Sequence, residues 1–574
     1  MIQLVTVLRL CVLLLALFEI TPNLAAEQGG GQEKQAADVS LEGECAVKTS
    51  KSTRTRRRQI LRPEHLPPPV FFDDFQQTVQ LSNLPGKPTG QSVRLGSIPQ
   101  VNSKVNDENR TAPATIALLP QLVSQDSIQK IMRILRSYNA SELDQDPDTV
   151  DALPTYELFV RNPELEDGNE SFLKEGSLDS KAAQRRSRLR QQLSAIMDPT
   201  LDERITPFVQ SHFPQHCGTE DRSCTPCYSL IRRYHSNDRP SHGMHRDGLA
   251  AVTVVVSLST YGVDYTTGGL YVSTGYGQRQ FLALSAGDAV AHTPRLLHGV
   301  HIGSANHTAT TTTTNPAGDE RWSWILWYRD SIHCTDHSAT WFRDCARAGD
   351  VICQELQASK EEAAAVVTWN TAAAEGGSGT AAVKMARAHL GLLAGLQRPR
   401  MEEAVRYYRL AIDAYHPDGH YGMAQVYLMQ KKKQKYLPRV LRHLEAAAEL
   451  GHAYSMFNLG IAHTYGYFYY QGEEEDTVDV LSRNPNNWIN TTLAAEWFIA
   501  SGLPEGLYAA AWQAQTVLGD SRRYNQLLAH AVALGYGRPW RTEARRRTGS
   551  GGAGGVDINL PWPPAFDGRV PPLF

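Results

Sequence analysis

The stretch His245-Arg-Asp-Gly-Leu-Ala-Ala-Val-Thr-Val-Val-Val-Ser-Leu258 joins a pair of candidate metal ligands to a mostly apolar run. Ala251–Leu258 is rich in Val and Thr, the composition of a buried strand. Similar segments recur on both sides: Tyr228–Tyr234, Gly269–Ser273, Phe281–Leu284, Ala289–His292, His298–Ile302 and Trp322–Tyr328. Each is short, β-branched or aromatic, and bounded by Gly, Pro, Ser or Asp turns. Such a series predicts a double-sheet jelly roll, the double-stranded β-helix. Upstream, over 118–138 and 179–213, apolar residues recur at three and four, as in Leu189, Leu193, Ile196 and Met197. That period predicts flanking helices.

The predicted strands place His245 and Asp247 in a loop between two of them. Side chains two apart in an extended segment point the same way, so this imidazole and carboxylate can face one ion. A third ligand has to come from elsewhere, and His292, His298, His301 and His307 follow on the next segments. His298 opens a strand and is the favoured choice, with His292 second. His307 sits in a glycosylation-like triplet and is expected to be exposed. Two imidazoles and a carboxylate make the facial arrangement that binds ferrous iron and leaves positions open; the same ligand types also suit zinc and manganese.

The surrounding motifs narrow this. Gly268-Gly-Leu-Tyr-Val272, Ser285-Ala-Gly-Asp-Ala-Val290, His298-Gly-Val300 and Arg321-Trp-Ser-Trp-Ile-Leu-Trp-Tyr328 follow the His-x-Asp pair in order. This succession resembles the Fe(II)/2-oxoglutarate dioxygenase family, especially its prolyl 4-hydroxylase-like branch. The resemblance spans roughly 115–332, with its specific motifs within 228–330. It implies that His245, Asp247 and His298 bind Fe(II), and that Arg321 pairs with the distal carboxylate of the cosubstrate 2-oxoglutarate. Arginine suits that task because its planar fork donates two parallel bonds to a carboxylate. Ser323 is expected to add a hydroxyl and Tyr234 a further donor to the cosubstrate site. The resemblance also implies L-ascorbate as a cofactor and a peptidyl residue, proline favoured, as the group hydroxylated. Most prolyl hydroxylases of this branch carry lysine where Arg321 stands. Relatives also separate the last histidine and the basic residue by about half of the 23 positions between His298 and Arg321. The excess is the Thr308–Thr314 tract next to Asn306, which a hairpin insertion would accommodate. Trp322, Trp324 and Trp327 are expected to be mostly core. Because a fold does not fix a substrate, a dioxygenase acting on lysine, a sugar or a small molecule is an alternative. A non-catalytic adaptor built on the C-terminal repeats is another.

Beyond Cys353 the pattern changes to Ala-rich helices. An acidic helix near 354–370 leads through the Gly/Ser stretch Glu375–Gly379 into four predicted pairs. First helices are Ala381–Ala394, His420–Gln430, Ala453–Tyr465 and Leu507–Leu518. Second helices are Met401–Tyr415, Pro438–Leu450, Thr491–Ala500 and Tyr524–Leu534. Tyr421-Gly-Met423 and Tyr454-Ser-Met456 lie 33 residues apart, and Gly391, Ala424 and Gly460 recur where helices would touch closely. A period in the thirties predicts a helical solenoid. Val440–Gly460 resembles the Sel-one-like branch of the tetratricopeptide superfamily, which implies a protein partner on a concave face. An acidic insertion between Tyr467 and Asn490 interrupts the array.

The chain's 574 residues suggest two to four domains at about 150 residues each. The reading is multidomain α+β: a signal peptide over 1–26, a disordered linker or pro-segment over 27–114, a dioxygenase domain over 115–353, helical repeats over 380–548, and a disordered tail over 549–574. With 57 basic and 60 acidic residues the net charge is −3, which provides no global field for nucleic acid. Arg9, the apolar run Leu10–Phe18 and the small residues Ala25 and Ala26 have the layout of a secretory signal. No later segment has the ~20 apolar residues of a membrane helix. Sequons at Asn109, Asn139, Asn169, Asn306 and Asn490 fit a luminal or secreted glycoprotein. Outside the signal, Cys45, Cys217, Cys224, Cys227, Cys334, Cys345 and Cys353 are expected to form disulfides with one thiol left over. The expected compartment is the endoplasmic reticulum lumen or the exterior.

Overall fold

The computed structural model describes residues 61–63, 70–73, 75–80, 92–98, 113–138, 143, 148, 150, 154–162, 180–214, 225–236, 239–273, 279–302, 319–329, 334, 341–359, 363–391, 400–430, 433–466 and 489–533. The predicted signal and tail, the Thr tract, Cys45, Cys217, Cys224 and the sequons other than Asn490 lie outside these residues.

Thirteen strands among the described residues form two sheets. In chain order these are β1 (Val70–Phe71), β2 (Gln77–Gln80), β3 (Ser92–Ile98) and β4 (Ala114–Leu119); then β5 (Glu157–Arg161), β6 (Thr225–His235), β7 (Ser241–His245), β8 (Val252–Ser257) and β9 (Gly268–Ser273); and finally β10 (Arg279–Phe281), β11 (Ala289–His292), β12 (His298–Ile302) and β13 (Glu320–Arg329). The smaller sheet runs β1-β10-β9-β12-β7 and the larger β2-β3-β4-β11-β8-β13-β6-β5. This is the jelly-roll-like architecture expected. The glycine pair after the His-x-Asp motif has a steric reason. Gly268 has φ +76°, and a Cβ there would lie 1.9 Å from the His301 carbonyl oxygen of the paired strand β12.

Three helical segments cover the outer face of the larger sheet: α1 (Gln125–Arg136), and α2 (Ser180–Thr200) running through a π turn at Leu201–Ile205 into α3 (Thr206–His212). The apolar stripes of α1 and α2 bury Ile128, Ile131, Leu189 and Leu193 against Val254, Trp322, Trp324 and Leu326. Period two divides β13. Trp322 and Trp324 enter this helix-side core, while Trp327 faces the space between the sheets.

Eleven further helices follow among the described residues. They are α4 (Trp341–Arg347), α5 (Val351–Ala358), α6 (Ala363–Glu375), α7 (Gly379–His389), α8 (Met401–Asp413), α9 (Pro417–Leu428), α10 (Lys433–Glu449), α11 (Ala453–Thr464), α12 (Thr491–Ala500), α13 (Pro504–Thr516) and α14 (Ser521–Ala533). Neighbours in sequence pack on one another, so α7/α8, α9/α10, α11/α12 and α13/α14 are the four expected pairs. Gly460 lets α11 meet α12 closely, since a Cβ there would lie 2.6 Å from the Phe498 ring. Among the described residues no helix is long and apolar enough to cross a membrane.

Several expectations are corrected. The stretch 27–114 is not all linker: β1, β2 and β3 lie within it, and β3 pairs with β4 in the larger sheet. The helix expected from Leu118 begins only at Gln125, because 114–119 is a strand whose helix-like spacing reflects burial on both faces. The division at Cys353 cuts through α5. Phe342, Ala346, Val351 and Ile352 belong to the same apolar core as the repeats, so by packing the helical unit starts near 341. The acidic helix near 354–370 is two helices, α5 and α6. Gly391 lies just past the end of α7, with φ +74°. Cys227 is bonded to Cys334. Cys345 is bonded to Cys353, and two disulfides suggest an oxidising compartment.

Candidate metal centre

The smaller sheet aligns the two histidines by register. His298 at the start of β12 is the cross-strand partner of His245 at the end of β7, and the register shifts immediately afterwards, with Val300 opposite His242. His245 therefore closes a strand rather than lying in a loop. Asp247 follows just beyond the strand, where its carbonyl accepts from the Ala250 amide at 3.0 Å. One ligand atom from each of His245, Asp247 and His298 can be chosen so that all lie within 4.8 Å of one another. This is the sole such cluster of three among the described residues.

Both imidazoles present the same nitrogen to this point. His245 Nδ1 lies 2.8 Å from the Gly243 carbonyl, and His298 Nδ1 lies 3.1 Å from the Leu296 carbonyl. A carbonyl only accepts, so each Nδ1 carries the proton and each Nε2 keeps its lone pair. Those Nε2 atoms lie 3.4 and 3.5 Å from the two Asp247 oxygens. Thr253 on β8 donates to Asp247 Oδ2 at 2.7 Å and orients the carboxylate. Burial alone would raise the Asp247 carboxyl, but the facing His298 and His245 imidazoles outweigh it and hold it well below the usual carboxylate range. Burial also holds His298 and His292 low, against the pull of Asp247. The donor set is thus a carboxylate with imidazoles at hand, which suits a divalent first-row metal such as Fe(II). His292, the second choice for third ligand, lies beside His298 with ring centroids 4.5 Å apart and the planes tilted by 58°, but falls outside the cluster.

The cavity between the sheets extends from this centre to Arg321 and Ser323 on β13 and Tyr234 on β6. Arg321 is fully buried. One of its nitrogens donates to Ser323 Oγ at 2.5 Å, while Nε and Nη2 are enclosed without a hydrogen-bond acceptor. Tyr234 sits 5.8 Å below the guanidinium, ring face to cation. The buried Tyr265 hydroxyl lies in the same field, with its pKa raised by burial and only partly pulled back by Arg321. No carboxylate pairs with Arg321 among the described residues. Unmatched buried donors on a cation are costly, and an anion with two oxygens would satisfy them. The distal carboxylate of 2-oxoglutarate has that chemistry.

Sequence reasoning missed the other wall. Arg232 donates to Glu157 at 2.6 Å, and Asp148 lies 3.6 Å from Arg232 and 3.5 Å from Arg239. His242 Nε2 meets Asp148 at 3.2 Å, and the His242 ring packs 4.2 Å from that of His245. Apolar neighbours on β6 disguise Arg232 as a strand-face polar residue. The Arg-x-Tyr spacing of Arg232 and Tyr234 was the available signal, since period two sends both into one cavity.

No protein-family profile matches the chain, and no curated protein does. Among solved structures, similarity is found to a Sel1 repeat protein from Oxalobacter formigenes, with 16% identity, TM-score 0.29, and 38% of this chain covered. The match spans 62% of that protein's length. A prolyl-4-hydroxylase from Pseudomonas putida is similar at 14% identity and TM-score 0.22, over 38% of this chain and 92% of its own. A prolyl hydroxylase from Trichoplax adhaerens, solved with a peptide fragment of the hypoxia inducible factor oxygen degradation domain, is similar at 12% identity and TM-score 0.24, over 38% and 83%.

Proposed function

We propose that this chain is an Fe(II)- and 2-oxoglutarate-dependent dioxygenase that hydroxylates a peptidyl residue, with proline favoured. The observation that carries the reading is one cavity holding a His-Asp-His cluster and a buried arginine with unmatched donors. His245, Asp247 and His298 would hold the iron, and Arg321 with Ser323 and Tyr234 would hold the far carboxylate of 2-oxoglutarate. Iron bound there would couple oxygen reduction to decarboxylation of the 2-oxo acid, one oxygen atom entering succinate as carbon dioxide leaves and the other being inserted into a C–H bond to give the alcohol. The protein's own task is placement. Arg321 sets the cosubstrate's reach from β13, the two Nδ1–H bonds hold the imidazoles in the ligating tautomer, and the apolar walls Leu270, Val300 and Ile325 exclude water.

The remaining assignments belong to this reading. L-ascorbate keeps the iron reduced, the compartment is the endoplasmic reticulum lumen or the exterior, and the helical pairs hold a protein substrate or partner. Purified protein supplied with Fe(II), ascorbate and 2-oxoglutarate is expected to release succinate, and His298→Ala or Asp247→Ala is expected to abolish the release. Mass spectrometry of a proline-rich peptide library, scored for a gain of one oxygen, then identifies the acceptor residue. Absence of succinate from the folded protein under every peptide challenge would sink the enzyme reading and leave the adaptor one.

A further inference from the structure

The residue between the two ligands of the His-x-Asp pair does not face solvent. Arg246 Nη1 donates to Glu355 Oε1 on α5 at 2.7 Å, with both side chains almost fully buried, and its Nε donates to the Arg295 carbonyl at 3.1 Å. Glu355 is in turn tied to the repeats, since Ser378 Oγ donates to its Oε2 at 2.6 Å while accepting from the Ala381 amide as the N-cap of α7. A second contact grips the other ligand-bearing loop. Arg295, three residues before His298, donates to both Asp350 oxygens at 2.8 and 2.9 Å and to Cys353 Sγ at 3.2 Å. Asp350 is the N-cap of α5, accepting from the Cys353 amide at 3.0 Å. Gly248, one residue past Asp247, leaves the room that Leu356 of α5 occupies; a Cβ there would lie 2.8 Å from Leu356 Cδ2.

All three ligands are thus flanked by contacts to one short helix of the helical unit. We infer that Glu355 and Asp350 are positioning residues for the metal centre, acting through Arg246 and Arg295, so that the helical unit sets metal affinity as well as offering a surface. The inference rests on the metal reading above. A buried arginine held by a carboxylate and a backbone carbonyl has little freedom, and Arg246 is joined through the backbone to both His245 and Asp247. Arg295 likewise fixes the turn whose Leu296 carbonyl holds His298 Nδ1. Partners bonded directly to metal ligands typically change affinity by about 10- to 100-fold when removed, and these carboxylates act one residue further out, at the lower end of that range.

The test uses the full chain and Co(II) as probe, followed by its visible absorption and by titration calorimetry. Glu355→Gln keeps shape and an acceptor for Ser378, and Asp350→Asn keeps an N-cap, so both variants remain foldable while losing the charge that grips each arginine. Each is expected to weaken Co(II) binding by about tenfold and to alter the Co(II) spectrum. Phe498→Ala, a core lesion between α11 and α12, is expected to lower the melting temperature while leaving Co(II) affinity and spectrum unchanged. Co(II) affinity within twofold of wild type in both carboxylate variants overturns the inference. Wild-type protein that binds Co(II) no better than His298→Ala overturns the metal reading itself, a distinguishable result.

Discussion

At the scale of the residue, the role proposed for Arg321 separates cosubstrate binding from metal binding. It is buried with two nitrogens unmatched, and it touches none of the three candidate ligands by hydrogen bond. Arg321→Gln removes the charge and the fork while keeping a polar side chain. We expect KM for 2-oxoglutarate to rise ten- to hundredfold, corresponding to about 1.5–3 kcal/mol for hydrogen bonds to a charged group. Co(II) affinity measured without 2-oxoglutarate should stay at the wild-type value, and a parallel loss of both would refute this division of labour. His245 and Asp247 were legible through period two, and His298 and Arg321 through the order of motifs in the family resemblance; the structure clusters the first three and lines the same cavity with Arg321. Thr253 and Asp148 were not legible. Thr253 looks like any strand threonine, and Asp148 meets His242 across 94 positions that no local pattern spans.

Elements were legible in proportion to their own signal. Ala289–His292 and His298–Ile302 were predicted residue for residue, and the eight repeat helices were each found, with ends differing by at most several residues. Two of the missed strands lack that signal. β7 is Ser-His-Gly-Met-His, without a β-branched residue, and is a strand because β12 pairs with its backbone. β3 mixes Gly and Ser into its alternation. Within the helical unit, α9 and α10 carry a pair of imidazoles, His420 and His443, whose Nδ1 atoms lie 2.9 Å apart. Burial lowers His420 to about 4, and burial with the neighbouring His420 lowers His443 to about 3, from an unfolded value of 6.5. Between those values the unfolded chain binds more protons than the folded one, so stability falls as pH drops from about 6.5 towards 4. Above 6.5 the pair contributes no slope. Denaturant melts of wild type and His443→Gln across this range should show a shallower acid loss in the variant, and identical slopes would refute the assignment.

At the scale of the whole molecule, covalent and buried ionic links join segments far apart in the chain. The Cys227–Cys334 bond ties the start of β6 to a residue beyond β13, across 107 positions. Replacing both cysteines by serine is expected to cost about 2–5 kcal/mol, since the bond constrains a long unfolded loop. An unchanged denaturation midpoint would show that this constraint is not limiting. Sequence by itself determined the order of parts: a jelly roll carrying His-x-Asp, a later His and an Arg, followed by helical pairs. It could do so because strand alternation, helical period and motif spacing are properties of neighbouring residues. Only the tertiary structure decided that residues before 114 complete the larger sheet, that the helical unit begins near 341, and that Glu355 grips Arg246 across 109 positions. Those facts depend on which distant surfaces fold into contact, and buried charges find their partners through packing rather than through their place in the chain.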